Sequence, residues 1–445
     1  MFARIALALR NMIPGNVNAG YYVAGEGNGG PQVQIPYTPG VGDASALAGL
    51  RVVDLSRILA GPFCTQMLAD HGADVIKIEP PSGDDSRTFG PPFVREKLST
   101  YYAGLNRGKR NIVLDLDMPT ARDVLLRLLG GADVVVENFR LGAMARWGLD
   151  YDTVIAPRFP QLVYCRITGF GVGGPLGGLP GYDAIAQAYS GLMSINGEPD
   201  REPLRVGVPV ADLVTGIYAF SGILLALQAR LRDGRGQLVD CSLLNSALTL
   251  LHPHAASWLL AGMVPQRTGT AHPNIAPYET FGTATGSIFI AAANDRQFAA
   301  LVDVLGQPNM ASDPRFLRNS DRVMNMAELR GLLGGLLAGE DAQRLAENLR
   351  KRGIPATPIQ TIADALNSEQ VADQEMVVSI GEYRGIGVPI KMGRTPAIAR
   401  RPPGDPNADG REILLELGYS EQEIAQLDGV GETLGQQAGR GELTP

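Results

Sequence analysis

The sequence predicts an α/β fold built on a mostly parallel, doubly wound sheet, with a smaller α+β domain after it. Three observations carry this. Short β-branched runs alternate with amphipathic helical stretches from residue 51 to 167, and strands separated by helices of this length cross over and pair in parallel. At 445 residues and 45% hydrophobic content, the chain has apolar surface for more than one core. Near Pro265 the composition changes, and strand pairs and helices stop alternating strictly.

Residues 51–55 (RVVDL) read as a strand, 62–70 (PFCTQMLAD) as a helix opened by Pro62, and 74–78 (DVIKI) as a second strand. The same pattern returns over 111–116, 121–129 and 133–137, and 162–167 adds another buried strand. A Gly/Pro segment (169–181) leads to a helical run at 184–193, the acidic turn Gly197-Glu198-Pro199-Asp200, and a strand-like run at 204–210. The apolar stretch 213–229 is interrupted by Thr215, Gly216, Ser221 and Gly222 and is short for a bilayer span, so it reads as part of a buried helix over 213–231. A strand at 237–241 and an apolar run over 243–260 complete the first domain. In the second, strands are expected at 278–281 and 287–293, helices at 296–305, 326–337 and 341–352, and last strands at 354–359 and 387–390. A Pro-rich linker (402–406) precedes a helical tail, where Ser420 and Glu423 make a capping-box signature. The expected domains are therefore 47–260 and 261–400, with 401–445 a tail returning to the first. Residues 1–46 read as a leader and linker: either an unstructured extension or, given Arg4 and Arg10 without an acidic residue up to 25, an organellar transit peptide.

Several function classes fall away. A net charge of -7 without a basic run argues against nucleic acid as the main partner. Three cysteines far apart in the chain suggest neither a disulfide framework nor a thiolate metal site, and fit a reducing compartment. The turn after the first strand, Ser56 to Pro62, has one glycine, so the spacing that brings backbone against a dinucleotide pyrophosphate is missing. P-loop and nucleophile-elbow patterns are missing as well. His252 and His254, two apart, diverge on a helix and make no metal pair.

Candidate ligand cations are Arg57, Lys109, Arg110 and Arg146, near predicted strand ends or helix starts. His272, in a Gly/Pro loop, either lines a pocket or serves loop hydrogen bonding. Asp200, on its turn between two apolar runs, is either turn chemistry or an aspartate held out for catalysis.

With those residues in view, the chain resembles the class III CoA-transferase family (CaiB/BaiF type). The resemblance runs from about 47 to 429, through LAGLRVVDLSRILAGPF, GADVIKIEPPSGDDSR, LNRGKRNIVLDL, DVVVENFRLGAMARWGL, GYDAIAQAYSGLM, NGEPDREPLRVGVPVAD and RTGTAHPNIAPYETF. It implies a Rossmann-like large domain with a smaller one, in an interlocked homodimer. It implies coenzyme A or acyl-CoA as substrate, a carboxylic acid as the second substrate, and no permanently bound cofactor, metal or membrane. Carried over by position, Asp200 is the acyl-accepting carboxylate; Arg57, Ile58, Ala60, Leu114, Asn138, Phe139 and Arg146 contact CoA; Tyr182, Gly269 and His272 face the substrate, with amides near Gly269 stabilising the oxyanion. Racemases of the family have histidine where this chain has Tyr182 and use an aspartate matching Asp212. A tyrosine cannot serve as their imidazole base near neutral pH. The motifs are most similar to those of succinyl-CoA-dependent, glutarate-type members. A racemase or a catalytically silent CoA-binding protein is the alternative, and the expected location is cytoplasmic, or mitochondrial if the leader is a transit peptide.

Overall fold

A computed structural model describes residues 45–96 and 98–427. The expected leader up to residue 44, and the tail from 428, lie outside the described residues. Six strands form the central sheet: β1 (Arg51–Asp54), β2 (Asp74–Glu79), β3 (Arg110–Val113), β4 (Val134–Glu137), β5 (Val163–Thr168) and β6 (Leu238–Ser242). Their order is 3-2-1-4-5-6 and every neighbouring pair is parallel. The chain builds outward from β1 on one side and then returns to β1's other edge. That reversal leaves a crevice at the carboxyl ends of β1 and β4.

The helices used below are α1 (Ala60–Asp70), α2 (Pro119–Gly130), α3 (Ala143–Arg146), α4 (Asp183–Tyr189), α5 (Val210–Asp233), α6 (Leu243–Thr249), α7 (His254–Ala261), α8 (Asp295–Val304), α9 (Met326–Leu337), α10 (Ala342–Lys351) and α11 (Gly410–Glu416). Strand alternation assigns them to faces. Val53, Ile76 and Val135 pack with Val124 and Leu125 of α2 and Ile413 of α11, whereas Val52, Val75 and Val134 pack with Cys64 and Leu68 of α1 and Ala219 and Ile223 of α5. A third apolar cluster joins an antiparallel sheet, β7 (Tyr278–Thr283), β8 (Gly286–Ala291) and β9 (Ala356–Pro358), to α8, α9 and α10 through Phe281, Ile290, Phe298, Leu333 and Leu345. At Ser420 the capping box forms as its sequence suggests, with reciprocal bonds between Ser420 and Glu423.

Three expectations need correction. Residues 204–210 are not a strand: Leu204 and Val208 face solvent, and the segment is fixed instead by Val206 N donating to Gln187 Oε1 (2.9 Å) and Asn196 Nδ2 to Leu204 O (2.8 Å). The last hairpin is Val377–Ile380 with Tyr383–Ile386, earlier than 387–390. The apolar run at 243–260, whose secondary structure the sequence left open, forms two helices, α6 and α7, with a turn between them. Lastly, α5 is 24 residues, long and apolar enough to cross a bilayer on those grounds alone, and only partly buried. Ala211, Thr215, Ala219, Ile223 and Ala226 form the stripe facing α1 and the sheet, while Ile217, Tyr218, Leu225 and Leu231 are exposed.

Beneath the β1–α1 turn lies a buried ionic cluster. Asp54, the last residue of β1, accepts hydrogen bonds from Ser56 Oγ (2.5 Å), Thr65 Oγ1 (2.6 Å) and Lys109 Nζ (3.0 Å). On β2, Lys77 Nζ lies 2.9 Å from Asp84 Oδ2 and donates to Ser56 O (2.8 Å), both side chains being fully buried. Glu79 takes both prongs of Arg87 (2.7 Å each) and the Tyr102 hydroxyl (2.7 Å). Burial pushes the Asp84 carboxyl up, but Lys77 and the Ser86 donors outweigh it and hold it well below the usual carboxylate range. Asp54 follows the same logic: burial raises it, and Lys109, Lys77 and two hydroxyls bring it below its ordinary value.

Removing one partner leaves the others charged and dry. Lys77→Met should therefore cost about 3–5 kcal/mol of stability, read as a lowered urea midpoint at constant slope. Because Asp84 is depressed in the folded state, its contribution holds above the unfolded carboxylate pKa of about 4 and is lost as pH falls below that. The gap between wild type and variant should accordingly narrow in acid; a gap independent of pH would contradict the assignment.

Candidate active site

The first turn is assembled from side chains below it. Arg57 N donates to Asn138 Oδ1 (2.8 Å) and Asn138 Nδ2 donates to Arg57 O (2.8 Å), so the residue after β4 clips the turn after β1. Ile58 sits at φ 70°, a conformation that a β-branched residue rarely adopts, and its amide donates to Asp84 Oδ1 (3.2 Å). With its backbone held from within, the turn presents the Arg57 side chain outward.

Arg57 then borders a pocket of about 260 Å³ at the carboxyl ends of β1, β2, β3 and β4, walled by Pro80, Leu114, Asp117, Phe139, Arg146 and Trp147 among others. Its guanidinium carbon lies 5.6 Å from the Phe139 ring centroid; Phe139 meets Trp147 edge-on at 5.1 Å; the Arg146 guanidinium carbon lies 5.4 Å from the Trp147 ring centroid. Trp147 is oriented by its Nε1–H, which donates to Asp117 Oδ1 (2.7 Å). Two cations flanking two aromatic rings suit a ligand that combines phosphates with a flat heterocycle. Under this wall, Glu137 is pushed up to about 7 by burial, although the Phe139 amide donates to it (2.8 Å).

A second group of polar side chains lies at the start of α5. Asp183 Oδ1 accepts from Ala211 N (2.8 Å) and Asp212 N (3.4 Å), and its Oδ2 from Gln187 Nε2 (2.7 Å). Asp212 is thereby held in the first turn of α5, half-buried, and burial with the neighbouring Asp183 charge pushes its carboxyl up to about 7. One helical turn later, a Cβ on Gly216 would stand 2.7 Å from Ala60 O and 3.0 Å from Phe63 Cδ1, so the missing side chain lets α5 lie directly on the start of α1. Asp212 and Gly216 share that face. Tyr101 ties the two groups further: burial, then Asp212, Asp183 and Asp84, push its phenol up to about 12, and Asp84 is the residue that holds the Ile58 amide.

A third feature is a latch between two loops. Arg267 donates to the carbonyls of Ser194, Glu198 and Pro199 (3.1–3.4 Å), and Gly269 N donates to Gly197 O (3.1 Å). Gly269 has φ 63°, and a Cβ there would strike the Glu198 carboxylate at 2.7 Å.

The sequence model of CoA-transferase family III matches residues 47–410. The chain belongs to that family. It is 42% identical over 387 residues to the succinate–glutarate CoA-transferase of Agrobacterium fabrum, spanning 84% of this chain and 96% of the relative. It is 38% identical over 390 residues to the succinyl-CoA:glutarate CoA-transferase of mouse, spanning 86% and 88%. A CaiB/BaiF family protein from Brucella suis, solved by crystallography, superposes with a TM-score of 0.77 at 42% identity over 84% of this chain and 99% of that one. The protein is thus an enzyme of the class III CoA-transferase type, whose substrates are CoA thioesters.

Of the residues that the family III resemblance assigned to CoA, Arg57, Leu114, Phe139 and Arg146 line the pocket described above. Ile58 and Asn138 shape its first turn from behind, and Ala60 is buried at the start of α1, beneath α5. Lys109 and Arg110 are ruled out as ligand cations: Lys109 is buried on Asp54, and Arg110, at the opposite end of its strand, is bound to Asp74 and Glu416. Tyr182 precedes α4 and is 64% exposed. His272 packs edge-on against Tyr278 (5.3 Å) and accepts from Asn274 N on Nδ1 (3.1 Å), and burial lowers its pKa below the usual histidine value. The amides of Gly269, Ala271 and His272 are bonded to Gly197, Thr268 and Tyr278 carbonyls, which leaves them unsuited to an oxyanion in this arrangement. Asp200 is exposed and makes no hydrogen bond or ion pair among the described residues. The sequence motifs contain Trp147 and Asp183 but assign neither a role, although Trp147 follows directly on Arg146 and Asp183 opens the helical run after Tyr182.

If the paired cations hold phosphates, Arg146→Met should weaken CoA binding about 10- to 100-fold, the value of a charge-assisted contact. Calorimetric titration with CoA reads this directly; an unchanged Kd with an unchanged melting temperature would remove Arg146 from the site.

Proposed function

We propose that this family III enzyme carries CoA from an acyl-CoA donor, best matched by succinyl-CoA, to a carboxylic acid through covalent intermediates on Asp212. The carrying observation is the setting of Asp212: first turn of α5, on the face that meets the start of α1, with its carboxyl pushed up to about 7 by burial and Asp183. The resemblance assigned the role to Asp200. A solvated carboxylate is a poor nucleophile, and Asp200 has neither burial nor a partner to change that, so the local chemistry favours Asp212.

The steps balance without metal, ATP or a proton. The Asp212 carboxylate oxygen attacks the thioester carbonyl, the C–S bond breaks, and a mixed anhydride and CoA thiolate form. The thiolate attacks the aspartyl carbonyl, expelling the donor acid as its carboxylate and leaving an aspartyl-CoA thioester. The acceptor carboxylate attacks that thioester, giving a new anhydride and thiolate. Attack of the thiolate on the acceptor's acyl carbon then forms the product and restores Asp212. Desolvation and orientation supply the rate. The α5 N-terminus favours the carboxylate form, and burial with Asp183 opposes it, which sustains a basic, reactive oxygen.

We also infer an interlocked homodimer with a smaller domain after residue 260, as the resemblance implies. Support comes from apolar residues that this chain leaves uncovered on α5 and α7: Leu225, Leu231, Leu259 and Leu260, the last 87% exposed. Light scattering should return twice the chain mass, and Leu225→Glu with Leu260→Glu should lower it; a monomeric wild type would refute the assembly.

Asp212→Asn should reduce transfer by at least about 10³-fold, a loss in the range seen for essential catalytic groups, while Asp200→Asn keeps wild-type kcat/KM within about twofold. The opposite pattern would return the role to Asp200. Since only the ionised form attacks, kcat/KM should fall as pH drops through about 7. Asp183→Asn keeps an acceptor for the α5 amides but removes the charge that raises Asp212, so the acid limb should move to lower pH. A limb unmoved by Asp183→Asn would show that another group titrates.

A further inference from the structure

Arg205 stands out among the cations around the two aspartates by how little it is used. Its Nη1 is 3.8 Å from Asp183 Oδ2, too long for a hydrogen bond, and its Nη2 donates weakly to Gly207 O at 3.4 Å. The side chain is 45% exposed. A guanidinium has five N–H donors in a planar fork, so most of its capacity faces solvent. The other candidates are committed. Arg87 is buried with both prongs on Glu79, and Arg267 spends its donors on three backbone carbonyls. Arg57 borders the CoA pocket and pairs with Asp85 at 3.6 Å. His272 has its pKa lowered by burial, so it is largely neutral near pH 7.

Position matters as much as capacity. Arg205 touches the carboxylate whose other oxygen holds the amides of Ala211 and Asp212. Two acidic side chains, Asp183 and Asp212, would repel a substrate bearing a second negative charge unless a cation beside them offset it. We propose that Arg205 receives the unreacting carboxylate of a dicarboxylate substrate, and so selects diacids over monoacids as CoA acceptors. This rests on Asp212 as the acyl-accepting residue. The planar fork binds a carboxylate with two parallel hydrogen bonds, which lysine cannot reproduce.

A purely structural role, neutralising Asp183, makes a different forecast: every acceptor would suffer alike. The test compares a diacid, glutarate, with a monoacid of equal carbon number, pentanoate, as acceptors for the full-length enzyme with succinyl-CoA. In a double-displacement reaction, kcat/KM for the acceptor does not depend on the donor. Wild type should favour glutarate. Arg205→Met should lower kcat/KM for glutarate about 10- to 100-fold, mostly through KM, and leave pentanoate within about twofold; Arg205→Lys should recover part of the loss. Equal loss on both acceptors, an unchanged ratio, or a wild type indifferent to the second carboxylate would each overturn the inference. Asp212→Asn, assayed in parallel, separates the two readings: transfer surviving in that variant defeats the covalent scheme, whereas an inactive Asp212→Asn with an unaltered Arg205→Met ratio defeats only the role given to Arg205.

Discussion

The pocket depends on the Lys77–Asp84 pair and the charges linked to it. A lysine in the middle of a β-strand, fully buried, would ordinarily be forced neutral or expelled. Here Asp84 compensates it at 2.9 Å, the Ser56 carbonyl takes another of its protons, and burial, the largest influence on Lys77, is outweighed so that its pKa rises. The compensation is not neutral in shape. Asp84 also takes the Ile58 amide, and Asp54 the Ser56 hydroxyl, so the same charges that satisfy one another set the backbone path of the β1–α1 turn. A glycine fingerprint would let this turn approach a pyrophosphate through its own backbone; this chain instead stiffens the turn from below and leaves Arg57 and Arg146 lining the pocket. Buried ion pairs are weak sources of stability but strong sources of specificity when each charge also positions something.

The start of α5 is governed by a different balance. Asp183 and Asp212 are close enough for one charge to raise the other's pKa, and the helix N-terminus that Asp183 caps pulls the opposite way. Two carboxylates in one environment thereby acquire separate tasks, one holding amides and the other retaining basicity. Gly216 brings this arrangement against the start of α1, because any side chain there would push α5 away. The loop latch of Arg267 and Gly269 on the 194–200 turn anchors the segment that leads into Arg205 and α5.

Much of this was legible from residue order alone. The parallel strands followed from β-branched runs of strand length separated by helices, since that pattern admits only crossover connections. Membership in the family, and with it CoA thioester chemistry, followed from motifs spread over most of the chain. Arg57, Leu114, Phe139 and Arg146 were identified by position in those motifs, and they share one pocket. These are local or additive signals, which a linear reading can sum.

What only the tertiary structure decided was environment. Asp200 and Asp212 are both aspartates near turns in the sequence, and nothing in their neighbours along the chain says that one is bathed in water while the other lies against Asp183. Lys109 and Arg110 read as ligand cations until Asp54, 55 residues away from the first, and Glu416, 306 away from the second, claimed them. The apolar run of α5 read as buried because composition cannot report which face of a helix finds a partner. Burial and charge pairing are long-range properties: a residue's pKa, availability and reach are set by groups that folding brings beside it, and their sequence separation carries no trace of that meeting.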